Sequence, residues 1–209
     1  YGDMLLDIVN FIRENRHPNL TVNSNALVHT DGTEEAVTWM NSTTGGKPVI
    51  PRSGYVVEIN ALWYNALKFA QEMSTYRGDS DSESSYERLS AVTGKAFVEI
   101  FLNEYGYLYD YVADGVPDWS VRPNMIFPVA FDYSPLTQPQ KKKILDIVTR
   151  ELLTPRGLRS LSPKSPGYNP NYVGPQVQRD HAYHQGTAWP WLGGFYYEAY
   201  LKIYKMSGT

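Results

Sequence analysis

Apolar residues recur every three or four positions in five stretches of this chain, and long polar or Gly/Pro-rich segments hold the stretches apart. That spacing is the mark of amphipathic helices burying one stripe each. Residues 3–16 carry Leu5, Ile8, Val9 and Ile12 and stop at His17-Pro18-Asn19. Residues 56–73 repeat the pattern with Val56, Ile59, Trp63, Ala66, Ala70 and Met73. A third helix is expected from the capping-box spacing Ser84-Ser85-Tyr86-Glu87 through Leu89, Val92, Ala96 and Ile100. A fourth is expected from Thr137, with Pro139 in its first turn and Ile144, Ile147, Val148 and Leu152 on one face. The last covers about 187–205, weakened at Gly193-Gly194.

Strand signals are few. Residues 105–113 alternate with period two and predict a short hairpin arm. Residues 77–85 read as a solvated Ser/Asp-rich loop, and 154–186 form the longest stretch with no period, which a compact domain keeps when it is functional. The expected architecture is all-α, with stacked helical hairpins and function carried by the loops.

Bulk properties remove several function classes. The chain has 209 residues, the size of one domain or a large piece of one. A net charge of -3 argues against nucleic acid as a partner, since a polyanion binder needs a basic face. No apolar run reaches membrane-spanning length, and no signal-peptide pattern marks the first residues. The lack of cysteine excludes disulfides and thiolate metal sites and fits a reducing, cytoplasmic compartment. The 17 Tyr and 5 Trp supply flat rings with polar edges, which suit either sugar contact or the rim of a helical core.

Four motif blocks, in order, span most of positions 38–195. The first is Thr38-Trp39-Met40-Asn41, followed by Pro51-Arg52-Ser53-Gly54; the second is Val57-Glu58-Ile59-Asn60-Ala61-Leu62-Trp63-Tyr64-Asn65. The third is Asp118-Trp119-Ser120-Val121-Arg122-Pro123-Asn124. The fourth is Leu153 to Arg159, then Asp180-His181-Ala182-Tyr183-His184-Gln185-Gly186-Thr187 with Trp189-Pro190-Trp191. In this order the blocks resemble the C-terminal amylo-alpha-1,6-glucosidase domain of bacterial and archaeal glycogen debranching enzymes. Trehalases and processing glucosidases share part of the style. The resemblance implies a portion of an (α/α)6 toroid of the six-hairpin glycosidase type, a single domain over 1–209, and hydrolysis of alpha-1,6-linked glucose with inversion. Five or six helices account for only part of such a ring.

Glycoside hydrolysis needs two carboxyl groups, about 6.5–9.5 Å apart in inverting enzymes, with the acid kept protonated by burial or a neighbouring charge. Here the chain departs from the family pattern. The family's Trp-Met-Asp ends in Asn41, and an amide cannot donate a proton as an acid. Asp31, Glu34, Glu35 and Glu58 are the nearest carboxyls in sequence. Eukaryotic relatives place a Glu before the Trp that follows His-Gln, where this chain has Ala188. Asp180 is the closest substitute, with an N-cap role as its structural alternative. The catalytic candidates are thus Asn41, Glu58 and Asp180.

Trp39 and Trp189 are candidates for stacking on a sugar ring, and Arg52 and Arg122 for paired hydrogen bonds to hydroxyls or a carboxylate. Asp118, Asn124, His184 and Gln185 complete the substrate-binding set. His181 and His184 lack a matching ligand spacing, so no metal is expected, and no dinucleotide or phosphate motif calls for a cofactor. The implied partner is glycogen or a branched alpha-glucan. A glucan-binding domain that has lost catalysis and a trehalase-like exo-glucosidase are the alternatives.

Overall fold

The structure, a computed structural model, describes residues 2–205. Helices α1 (Gly2–Arg13), α2 (Val57–Arg77) and α3 (Ser80–Phe101) follow the apolar spacing of the sequence. The turn between α2 and α3 is much shorter than the predicted 77–85 loop. Gly78 takes the left-handed conformation that closes α2, and the Asp79 carboxylate accepts from the Ser82 N–H at 3.1 Å to cap α3. Asp81 and Glu83, read as loop residues, sit in the first turn of α3, where the helix dipole favours negative charge.

The remaining helices are α4 (Phe127–Ala130), preceded by a 3-10 turn over Pro123–Ile126, then α5 (Gln138–Leu152), α6 (Gln176–Tyr183) and α7 (Leu192–Tyr204). Thr137 caps α5 as its sequence suggests, with the Gln140 side chain accepting from the Thr137 N–H at 2.8 Å. The main core joins Phe97 and Phe101 of α3 to Ile144, Leu145, Val148 and Leu152 of α5 and to Leu192 and Tyr196 of α7. A second cluster gathers Val9, Val28, Trp63, Leu67 and Tyr86 where α1 meets α2 and α3.

Among the described residues, ten strands of two or three residues lie between the helices. Strands β1 (Leu20–Val22), β2 (Val28–Thr30), β5 (Gly54–Val56), β6 (Tyr111–Ala113) and β7 (Val116–Pro117) form one antiparallel sheet in that order. Strands β8 (Leu153–Thr154), β9 (Gly157–Arg159) and β10 (Ala188–Trp189) form a second, and β3 (Thr43–Thr44) pairs with β4 (Lys47–Pro48) in a third. The all-α expectation, and the toroid segment that went with it, is therefore overturned by three antiparallel sheets: the architecture is mixed α/β. Strands this short fall below the four residues at which a period of two can be read, and tertiary neighbours make them. Within 154–186 the β8–β9 hairpin and α6 replace the expected featureless loop.

One glycine fixes how this sheet feeds the site. Gly54 sits at φ +84, and a Cβ there would lie 2.3 Å from the Val112 carbonyl oxygen. Only glycine lets β5 lie against β6 so closely. That approach sets the loop carrying Arg52 beside the residue that precedes β6, Asp110.

Candidate active site

The motif blocks converge on one buried ionic cluster. Arg52, 2% exposed, stands at its centre. Its guanidinium donates to both oxygens of Glu58, through Nη1 and, at 2.7 Å, Nη2. It also grips Asp110, with Nε to Oδ2 at 2.7 Å and Nη2 to Oδ1 at 2.9 Å. Glu58 is in the first turn of α2, so the helix dipole and Arg52 both hold its charge. Burial nevertheless pushes the Glu58 carboxyl above its usual range, against the pull of Arg52. The flanking carboxylates in turn hold Arg52 firmly protonated against burial.

Asp110 extends the cluster to the third block. The Asn124 amide donates to Asp110 Oδ1 at 2.7 Å, and Asn124 Oδ1 accepts from the Trp39 indole N–H at 2.7 Å. Arg122 lies with Nε 3.7 Å from Asp110 Oδ2 and donates to the carbonyls of Ser160 and His184 and to Gln185 Oε1. Burial lowers the Arg122 pKa, with the nearby Arg52 charge adding to the effect. Two cations thus face two anions in a dry interior, which holds the blocks in register. Asp118, at the edge, is raised by burial and then by the charge of Asp110; its Oδ1 accepts from the Ser120 N–H at 3.0 Å.

Beside the ionic cluster lies an aromatic one. Trp39 meets His184, Trp189 and Trp191 edge-on, with centroids 5.2, 5.8 and 5.1 Å away. His184 stacks on Trp189 at 5.4 Å. Its ring is buried, neither nitrogen has a hydrogen-bond partner among the described residues, and burial drops its pKa to about 4. The imidazole is therefore neutral at physiological pH.

A polar cavity of about 370 Å³ opens beyond these rings, lined by Asn41, Ser42, Thr43, Tyr172, Gln176, Asp180 and Tyr183. Here α6 meets β3, and the Ser42 hydroxyl donates to the Asp180 carbonyl at 2.7 Å. Asp180 Oδ1 accepts from Gln176 Nε2 at 2.7 Å. Asn41 and Asp180, 139 positions apart by their numbers, thus line the same cavity. Glu58 does not line this cavity, being locked on Arg52. Asp31, Glu34 and Glu35 lie exposed, Glu34 in a 3.2 Å surface pair with Lys47. Among the described residues no group of three or more His, Asp or Glu is placed to hold a metal ion.

A family model described as Amylo-alpha-1,6-glucosidase matches residues 4–209, nearly the whole chain. The chain belongs to the amylo-alpha-1,6-glucosidase family. It is also similar to the glycogen debranching enzyme of Saccharomyces cerevisiae, at 26% identity over 228 residues, an alignment covering 85% of this chain and 14% of the yeast protein. The chain thus spans a small part of the length of that relative.

Within this amylo-alpha-1,6-glucosidase family member, Trp39, Arg52, Glu58, Arg122, Asn124, His184, Gln185 and Trp189 come together as one contiguous lattice, while Asn41 and Asp180 share the adjoining cavity. Asp110 is the residue that sequence reasoning missed, although it touches Arg52, Asn124 and Arg122. It sits on the same parity as Leu108 and Val112 in the alternating segment, opposite the tyrosines. A carboxylate on the apolar parity of an alternating segment is the signal that could have found it.

Proposed function

We propose that the protein is a glycoside hydrolase that releases alpha-1,6-linked glucose at branch points of glycogen or limit dextrin in the cytoplasm, with inversion. The observation that carries this reading is the shared cavity of Asn41 and Asp180, two positions from separate family blocks, beside the Trp39–Trp189–Trp191 rings. In this scheme Asp180, partly exposed and held by Gln176, is the base that takes a proton from water. Asn41 sits where the family carries its acid; its amide N–H holds the glycosidic oxygen by a hydrogen bond, and the proton that the leaving oxygen needs comes from solvent water. The buried Arg52–Glu58–Asp110 lattice positions both walls without touching the reacting atoms. Trp39 and Trp189 offer ring edges to the sugar, while His184, Gln185, Arg122, Asn124 and Asp118 shape the wall behind them.

A specific observation favours a second reading: with Asn41 in the acid position, the cavity has one carboxylate, and the domain binds branched glucan without cutting it. Glucose release from limit dextrin separates the two. On the hydrolase reading the protein releases glucose, Asp180→Asn abolishes release, and Asn41→Asp raises it by about 100-fold or more, the worth of a positioned acid. Absence of release from both the parent and Asn41→Asp, with folding and dextrin binding intact, would leave the binding reading. Preference for trehalose in a substrate panel would overturn the linkage assignment.

A further inference from the structure

We infer that a second cavity, between the loop around Tyr105 and helix α5, is a subsite for a linear alpha-linked glucan chain, separate from the Asn41–Asp180 cavity. The inference rests on the reading of an alpha-glucan as substrate. This cavity measures about 590 Å³, the larger of the two and within the range of small-ligand sites. Tyr105 and Tyr107 form one wall, and the polar side chains of Lys143, Asp146, Arg150 and Glu151 form the other. It shares no lining residue with the Asn41–Asp180 cavity.

Three features point to a saccharide. First, the aromatic wall is open to solvent. Tyr105 is 61% exposed and packs against Trp119, itself 44% exposed, with centroids 6.0 Å apart. Exposed rings of this kind offer a flat apolar face with a polar edge, which matches the axial C–H face of a glucose ring. Second, donors and acceptors alternate along the opposite wall. Glu151, its side chain 8% exposed, is held by Arg150 at 2.9 Å and Lys164 at 2.8 Å, so it is a fixed acceptor. Third, the Lys143 ammonium has no ion-pair or hydrogen-bond partner among the described residues, while its stem lies against Gly106, where a Cβ would be 2.5 Å from Lys143 Cδ. It is an available donor at the mouth. Carboxylates interleaved with the cations disfavour a phosphate or sulfate, and neutral hydroxyls satisfy both signs at once.

Maltoheptaose, which has no branch to cleave, tests this directly. Titration followed by Trp119 fluorescence and by amide shifts of 105–108 and 143–151 is expected to saturate. The double variant Tyr105→Ala with Lys143→Met is expected to weaken binding about tenfold, the scale of losing one ring contact and one donor. Asp180→Asn is expected to bind maltoheptaose as the parent does. Loss of the fluorescence response in Trp119→Phe assigns the signal to the ring that packs against Tyr105. The proposal is overturned if the parent shows no saturable shift at these positions, if the double variant binds unchanged, or if Asp180→Asn alone abolishes binding. Absence of glucose release from limit dextrin by both the parent and Asn41→Asp, with Tyr105-dependent maltoheptaose binding retained, would sink the hydrolase reading and leave the subsite standing.

Discussion

Arg52 holds Asp110 side-on across 58 positions of sequence, Nε to Oδ2 at 2.7 Å and Nη2 to Oδ1 at 2.9 Å, while the same guanidinium binds Glu58. One planar fork therefore neutralises two carboxylates at once, a task that the single ammonium of lysine cannot repeat.

Arg52→Ala is expected to destabilise the protein by about 3–5 kcal/mol, because it strands two buried anions. Arg52→Lys should recover only a minor part of that loss. Urea denaturation read by circular dichroism measures both. A loss below about 1 kcal/mol for Arg52→Ala would mean that Arg122 swings over to serve Asp110, and the lattice would be less specific than its geometry suggests.

Trp39→Phe keeps a ring against Trp189 and Trp191 but removes the N–H that Asn124 Oδ1 accepts. Asn124 is fully buried, so the orphaned acceptor should cost about 1–3 kcal/mol. The companion change Asn124→Leu in the Trp39→Phe background removes that acceptor and, with it, the donor to Asp110. A Trp39→Phe melt that coincides with the parent's would show the indole bond to be energetically idle, and any further loss in the double variant reads the bond to Asp110.

His184 makes stability depend on pH. Its folded pKa of about 4 lies below the ordinary unfolded value of about 6.5. Between those values the unfolded chain binds a proton that the folded chain refuses, so stability is complete above about pH 6.5 and is lost as pH falls toward 4. The loss should reach on the order of 2 kcal/mol. Replacing His184 by Gln should flatten this part of the stability–pH curve, measured by denaturation midpoints at stepped pH. An unchanged slope would assign it to other groups.

Asp118 predicts the opposite sign. Burial and Asp110 raise its folded pKa, so its ionised form is penalised by folding at neutral pH. Asp118→Asn keeps an oxygen for the Ser120 N–H and should gain up to about 1 kcal/mol at pH 7, discounted for its partial exposure. The gain should vanish once acid protonates Asp118 in both states. Differential scanning calorimetry at pH 7 and pH 3 checks this. A variant that is stabilised yet binds limit dextrin less well would add a substrate role to the structural one.

The helices were legible because their apolar residues repeat with helical spacing; α5 even begins at its expected cap, Thr137. The start of α3 was misplaced because Ser84-Glu87 has the capping spacing, whereas Asp79 does the capping. Of the strands only β6, at the end of the alternating 105–113 segment, left a trace, and its hairpin with β7 lies further along than the alternation suggests; Ala188-Trp189 becomes β10 only by lying against Leu158 and Arg159. At the site, residue identity announced Arg52, Arg122 and the tryptophans, but spacing says nothing about which charges end up paired. Glu58, a catalytic candidate in the first turn of a helix by its sequence, has both oxygens engaged by Arg52. Asp110 was hidden in a run of tyrosines because the period-two signal of 105–113 is carried by Tyr105, Tyr107, Tyr109 and Tyr111, on the parity opposite to its own.

The dryness of the Arg52 lattice has a consequence for ionic conditions. Mobile ions weaken an interaction only where they can approach it, over a Debye length of about 8 Å at physiological strength. The Lys47–Glu34 and Lys142–Asp146 pairs stand in that reach, with both partners open to solvent. Arg52 and Asp110, with side chains 1% and 0% exposed, stand outside it. Concentrated salt will therefore silence the surface pairs first, and the electrostatics that align the four motif blocks will keep operating in brine.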